Sequence, residues 1–228
     1  YGPCRVTAEV GGRTVTLAMS TGYPFDGKVE IRVLSGGGRF PIFARVPHWS
    51  GLPDAGQFRT FERDWKPGET IELDFPWTTR LSFWERDAVA VMRGPLLFAL
   101  HLPAEEKVVP RYAVPFENRE IASDAAFPRK EIRPAAAWNY ALLLNPDRTL
   151  AGATVEDEGD ESVFIRARAV KTDFGGWGYM RDVTTGRAVD PPPSPVPDEG
   201  GRVETVALVP MGLTEIRIAL FPWMNARD

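Results

Sequence analysis

The residues of this chain that could do chemistry are a few acidic side chains, one thiol, two histidines and an unusual number of tryptophans. Glycoside hydrolysis needs two facing carboxylates. The nearest approach to that pattern is Glu62 and Asp64, two apart on one predicted strand face with Arg63 between them. No apolar run buries either one, so nothing raises a pKa for acid catalysis, and both are expected to face water. Asp157, Glu158, Asp160 and Glu161 cluster around Gly159, the pattern of a solvated turn. Cys4 is the single cysteine, which excludes an internal disulfide and a cysteine-rich zinc site. A reactive thiolate needs a basic partner or a helix N-terminus, and Cys4 has only Arg5 beside it on a strand edge, so it reads as an inert thiol. His48 and His101 lack metal-ligand spacing. There is no nucleophile elbow, no phosphate-cradling loop and no His-Glu metal pair. The sequence therefore assigns no catalytic, cofactor-binding or metal-ligating residue.

The seven tryptophans invite two readings. Sugar C–H faces pack on flat aromatic rings, so Trp49, Trp77 and Trp177 are sugar-contact candidates; Trp177 lies in Gly175-Gly176-Trp177-Gly178-Tyr179. Tryptophans at strand ends also plug the rim of a core or face a neighbouring domain. By that second reading Trp49, Trp77 and Trp84 are domain-interface candidates, and it is the favoured one.

The elements that must position these residues are short. Gly and Pro number 21 each, leaving little room for long helices. Strands are predicted over Arg5–Val10, Thr14–Ser20, Lys28–Leu34, Arg39–Val46, Phe58–Trp65, Glu69–Phe75, Thr79–Trp84, Ala88–Met92 and Leu96–Leu100, with turns at Gly11-Gly12, Phe25-Asp26-Gly27, Gly36-Gly37-Gly38 and Lys66-Pro67-Gly68. Lys28–Leu34 alternates strictly, with Val29, Ile31 and Val33 inward, as a strand with one wet face does. The second half is less regular. Trp138–Leu144 and Ser162–Val170 read as strands. Thr172–Gly201 reads as a loop, proline-rich near 185–201. Val203–Val209 and Thr214–Leu220 read as a closing hairpin around Pro210-Met211-Gly212. The fold class is all-β, as two antiparallel β-sandwich domains in tandem, residues 1–103 and 104–228, with little helix.

A formal net charge of −4 excludes a strongly basic nucleic-acid binder and an acidic disordered tail. No apolar run approaches the ~18 residues of a membrane span, and the longest, Ala88–Leu102, is broken by Arg93, Gly94 and Pro95. The expectation is a soluble chain of unknown compartment with neither nucleic-acid nor membrane partners. It starts at Tyr1 rather than Met and reads as a piece of a larger protein.

Four phrases occur in order: Thr21-Gly22-Tyr23-Pro24-Phe25-Asp26-Gly27-Lys28-Val29, Phe43-Ala44-Arg45-Val46-Pro47-His48-Trp49, Arg63-Asp64-Trp65-Lys66-Pro67-Gly68-Glu69 and Arg93-Gly94-Pro95-Leu96-Leu97-Phe98-Ala99-Leu100. Together they resemble the β-sandwich region of bacterial β-L-arabinofuranosidase-like glycoside hydrolases (family 127 and relatives). Trp138–Leu142 and Val209–Ile218 resemble C-terminal segments of some relatives. One departure is visible: only Ser50–Gln57 stands where the family carries an extra strand with an Asn-Gly turn.

The resemblance implies that a large (α/α) barrel belongs to the same polypeptide and holds a glutamate acid/base and a zinc-bound cysteine nucleophile. None of those residues maps onto this chain, and Cys4 is not assigned to catalysis. By this reading the chain is the non-catalytic β-sandwich portion of a glycoside hydrolase. Its partners are the missing barrel, a second copy of itself in a homodimer, and through the parent a carbohydrate substrate. It holds no cofactor, zinc being a matter for the barrel. The alternative is a stand-alone carbohydrate-binding module.

Overall fold

The computed structural model describes residues 1–113, 119–157, 163–172 and 191–227. The described residues are all-β: strands joined by turns, with three-residue 3-10 segments as the only helical pieces. They fall into two compact units, Tyr1–Arg80 with Met92–Leu96, and Leu81–Val91 with Leu97–Asp228.

In the first unit, β1 (Cys4–Val10), β2 (Arg13–Thr21), β3 (Lys28–Ser35), β4 (Gly38–Arg45), β5 (Phe58–Trp65) and β6 (Thr70–Asp74) follow one another in sequence. A four-stranded antiparallel sheet has the order β1-β2-β3-β6, and β4 and β5 form a separate antiparallel ribbon. The two layers share a core. Val15, Val29, Val33, Ile71 and Leu73 from the sheet meet Phe40, Ile42, Ala44 and Trp65 from the ribbon. The period-2 pattern decides which residues do this: Phe40, Ile42 and Ala44 point in while Phe43 and Arg45 point out. Trp65 is 1% exposed and its indole Nε1 donates to the Phe40 carbonyl at 2.9 Å, which pins the ribbon's far end. Two strands cannot cover four, however. Cys4 to Glu9 of β1 all remain exposed.

The second unit is organised around one eight-stranded sheet. Its strands are β7 (Thr79–Phe83), β8 (Val89–Arg93), β9 (Leu96–Leu100), then, after an excursion, β14 (Tyr140–Leu144), β15 (Thr154–Asp157), β16 (Val163–Lys171), β17 (Val203–Pro210) and β18 (Trp223–Asn225). The order is β18-β14-β16-β17-β9-β8-β7, with β15 also paired to β16. The excursion consists of β10 (Ala104–Val108), β11 (Arg111–Ala113), β12 (Glu120–Ala122) and β13 (Lys130–Pro134), in two antiparallel ribbons, β10 with β13 and β11 with β12. β14 is buried at every position, which explains its unbroken Tyr-Ala-Leu-Leu-Leu sequence: both faces are covered. β14 and β18 pair in parallel, a departure from the antiparallel rule of the other strand pairs described.

The first unit has two facing layers, whereas one large sheet dominates the second. β9 pairs with β17, so the segment just before residue 103 is built into the second unit. The expected closing hairpin does not form. After β17 the chain makes a 3-10 turn at Met211–Leu213, and no strand follows until Trp223. The physical reason is occupancy: β17 already has β16 on one side and β9 on the other, so neither edge is open to 214–220.

Candidate functional site

The aromatic residues of the first unit converge. Trp49 sits in the 3-10 turn His48–Ser50 after β4, Trp77 in the loop after β6, Tyr23 in the loop before β3, and Phe75 directly after β6. The Trp49 ring meets Trp77 edge to face at 5.5 Å and 83°, meets Phe75 edge to face at 6.1 Å, and stacks on Tyr23 at 6.2 Å. Tyr1 extends the row, 5.6 Å from Phe75 and 6.0 Å from Tyr23. Edge-to-face pairs of this kind contribute about 0.5–1.5 kcal/mol beyond the area they bury.

Trp77 is also fixed from its other side. Gly94 has φ +55°, and a Cβ placed there would lie 2.0 Å from the Trp77 ring, so the indole can approach the backbone only because position 94 has no side chain. Arg80 bonds alongside, its guanidinium donating to the Gly94 carbonyl at 3.4 Å.

Beside the aromatic row lies an open apolar groove of about 590 Å³, lined by Tyr1, Cys4, Val6, Leu17, Met19 and Ile31 of the sheet side and by Phe43, Arg45 and Phe58 of the ribbon side. Phe43 and Phe58 are 60% and 61% exposed. The Tyr1 hydroxyl donates to the Arg45 carbonyl across the groove. Burial, reinforced by neighbouring Tyr23, holds the Tyr1 phenol above its ordinary pKa. The loop beneath Trp49 is tied by Asp54, which accepts two hydrogen bonds from Arg59 at 2.6 and 2.9 Å; that bond, more than any other influence, holds the Asp54 carboxyl below its ordinary value.

Of the four tryptophans singled out from the sequence, the structure brings Trp49 and Trp77 together. Their planes are nearly perpendicular, so they offer no shared flat face. Trp84 lies in the second unit with 62% of its surface exposed. Trp177 lies outside the described residues. Cys4 is exposed. Glu62 pairs with Arg39 at 3.0 Å on the ribbon's exposed side. His48 packs over Gly56, and His101 meets Phe164 edge to face. Of the acidic cluster, residues 158–161 lie outside the described residues. Among the described residues no group of three or more His, Cys, Asp or Glu side chains gathers to hold a metal, and no helix is long and apolar enough to cross a membrane. The groove was not foreseen. Its signal was present in Phe43 and Phe58, two large apolar residues at outward-facing positions of their strands.

No family model and no curated protein sequence matches the chain. Solved structures do share its fold. A structure titled as a glycoside hydrolase superposes with a TM-score of 0.57 at 20% identity, over 100% of this chain and 35% of that one. A family 127 β-arabinofuranosidase gives 0.55 at 17% identity, over 96% of this chain and 33% of that one. A family 127 β-L-arabinofuranosidase from Geobacillus stearothermophilus T6 gives 0.55 at 20% identity, over 100% of this chain and 33% of that one. The chain thus spans about a third of the length of these structures and has the fold of that third. The resemblance read from the four sequence phrases and the resemblance in three dimensions point to the same proteins.

Proposed function

We propose that this chain is the non-catalytic β-rich portion of a longer glycoside hydrolase resembling the β-L-arabinofuranosidases, and that it supports a helical barrel that carries the active site. The observation that carries this reading is the superposition of the chain, over 96% to 100% of its length, on a third of β-arabinofuranosidase structures. The edge-to-face packing of Trp49 on Trp77 supports a framework role for those rings, because a sugar platform presents a flat face. Exposed Trp84 is the tryptophan best placed to meet another domain. Zinc and the carbohydrate substrate are assigned by this reading to the barrel.

The test is to read the whole open reading frame and express it beside the 228-residue chain. The expected result is a barrel-encoding segment with a glutamate and a cysteine cluster, hydrolysis of aryl β-L-arabinofuranosides by the long form, and none by the short one. An open reading frame without a barrel, or turnover by the short chain that a single carboxylate substitution abolishes, overturns it.

A further inference from the structure

Among the described residues only three non-glycine residues hold a positive φ, and they belong to one lock. Arg86 and Asp87, at φ 60° and 56°, lie in the turn between β7 and β8, and Arg148, at φ 63°, lies in the turn between β14 and β15. The Arg148 guanidinium donates to the Asp87 carboxylate. A side chain in this left-handed region strains the backbone, whereas glycine holds it freely. The strained turn persists because its surroundings over-determine it. The Trp84 N–H donates to the Ala88 carbonyl at 2.9 Å, and the Ser194 N–H donates to the Arg86 carbonyl at 2.9 Å. The Trp223 indole Nε1 donates to the Asp87 carbonyl at 2.8 Å. Arg148 is itself wedged, its guanidinium 3.8 Å from the centre of the Phe83 ring and 5.4 Å from that of Trp223.

What the lock holds in place is Trp84. This residue opens the turn with an extended backbone, φ −124° and ψ −170°. It is 62% exposed, beside Phe83 at 37%. The ion pair that fixes the turn is 47% and 38% exposed on its two sides, and pairs so wet contribute little stability. Its use is therefore geometric. With the Arg86 and Asp87 carbonyls pinned and the Asp87 side chain held, the turn keeps one conformation and Trp84 leaves it in one direction. A tryptophan on a rigid support is the kind of side chain that dominates protein contacts, because no loop has to be ordered when it binds.

We propose that the turn over residues 84–88 is a preset docking element for another domain of a longer polypeptide, and that Arg148 is the positioning residue that sets it. The occupant follows from the glycoside hydrolase reading, on which this inference rests: the structures that the chain superposes on carry about two thirds of their length outside the matched part. That domain must offer an apolar recess for one indole. Arg148 acts through Asp87 and touches no partner.

The test uses fluorine NMR of protein labelled with fluorotryptophan, the Trp84 signal being the one lost in Trp84→Phe. In the 228-residue chain that signal should be single, sharp and sensitive to exchange of H2O for D2O. Arg148→Ala should shift and broaden it as the turn samples other conformations. Adding Asp87→Gly to Arg148→Ala should bring the sharp signal back, because glycine holds a positive φ without the lock. Arg148→Met, which keeps a stem over Phe83 and loses the pair with Asp87, carries the same expectations should Arg148→Ala fail to fold. In the product of the whole open reading frame the Trp84 signal should lose its solvent shift. Arg148→Ala should return that shift, and Arg148→Ala/Asp87→Gly should remove it again. A Trp84 signal indifferent to Arg148→Ala and Arg148→Met, or one that Asp87→Gly fails to rescue, overturns the positioning role. A long polypeptide whose Trp84 is as wet as in the short chain overturns the docking and leaves the glycoside hydrolase reading standing. An open reading frame that encodes no further domain overturns both.

Discussion

The indole planes of Trp49 and Trp77 stand 83° apart with their centres 5.5 Å from each other. One ring therefore presents its edge to the other's face, and the two offer no shared flat surface. Titration of the chain with arabinose-containing oligosaccharides is expected to leave tryptophan fluorescence unchanged. Saturable quenching that Trp49→Ala removes would make the pair a sugar site instead.

The same pair depends on Gly94. Alanine there would have to hold φ +55° and place its Cβ inside contact distance of the Trp77 ring. Gly94→Ala is expected to cost roughly 1–3 kcal/mol, read as a lowered urea midpoint at unchanged m-value. A midpoint within error of the parent would show that the ring swings aside freely.

Asp54 supplies the pH dependence of the loop under Trp49. Its folded pKa is depressed, mainly by the hydrogen bonds from Arg59. The ionised form is thus favoured by folding. The stabilising contribution is present above the ordinary aspartate value and is lost as pH falls through the depressed one. Carboxyl-carbon NMR should show Asp54 titrating below the ordinary range, and Arg59→Ala should move it back upward. An Asp54 titration unaffected by Arg59→Ala contradicts the pairing.

Trp84 bears on the proposed barrel contact. Trp84→Ala should leave the unfolding midpoint of the chain nearly unchanged, because the ring is largely in solvent. It should weaken capture of a separately expressed barrel domain about tenfold, the scale of burying one large side chain against a partner. Equal capture by both forms would move the contact elsewhere.

What could be read from the sequence follows from where each strand lies. Lys28–Ser35 was legible because it has one wet and one dry face, and Phe58–Trp65 and Leu96–Leu100 because turns or burial bound them sharply. The β10 to β13 ribbons were not, since β10 is exposed at every position and carries no periodic signal. Thr214–Leu220 alternates like a strand, and Ile216 is indeed buried, but whether a strand pairs depends on which edges other segments have taken. The tryptophans were recognisable as end-of-strand residues. Their meeting was not, because it depends on a 3-10 turn and a loop folding over the end of the same core. The groove needed the count of strands in each layer, which pairing alone determines.

The parallel pairing of β14 with β18 sets an order of assembly. β14 is buried throughout, and among the described residues its outer edge is closed by Trp223–Asn225, some eighty residues further along the chain. During synthesis the Tyr140–Leu144 segment must wait for the chain as far as Trp223–Asn225 before that side is capped. Until then it presents a bare, greasy backbone to every other nascent copy. The short closing strand is therefore the latch on the hazard: a chain interrupted before Trp223 would be poised to aggregate, and one that reaches Asn225 would not.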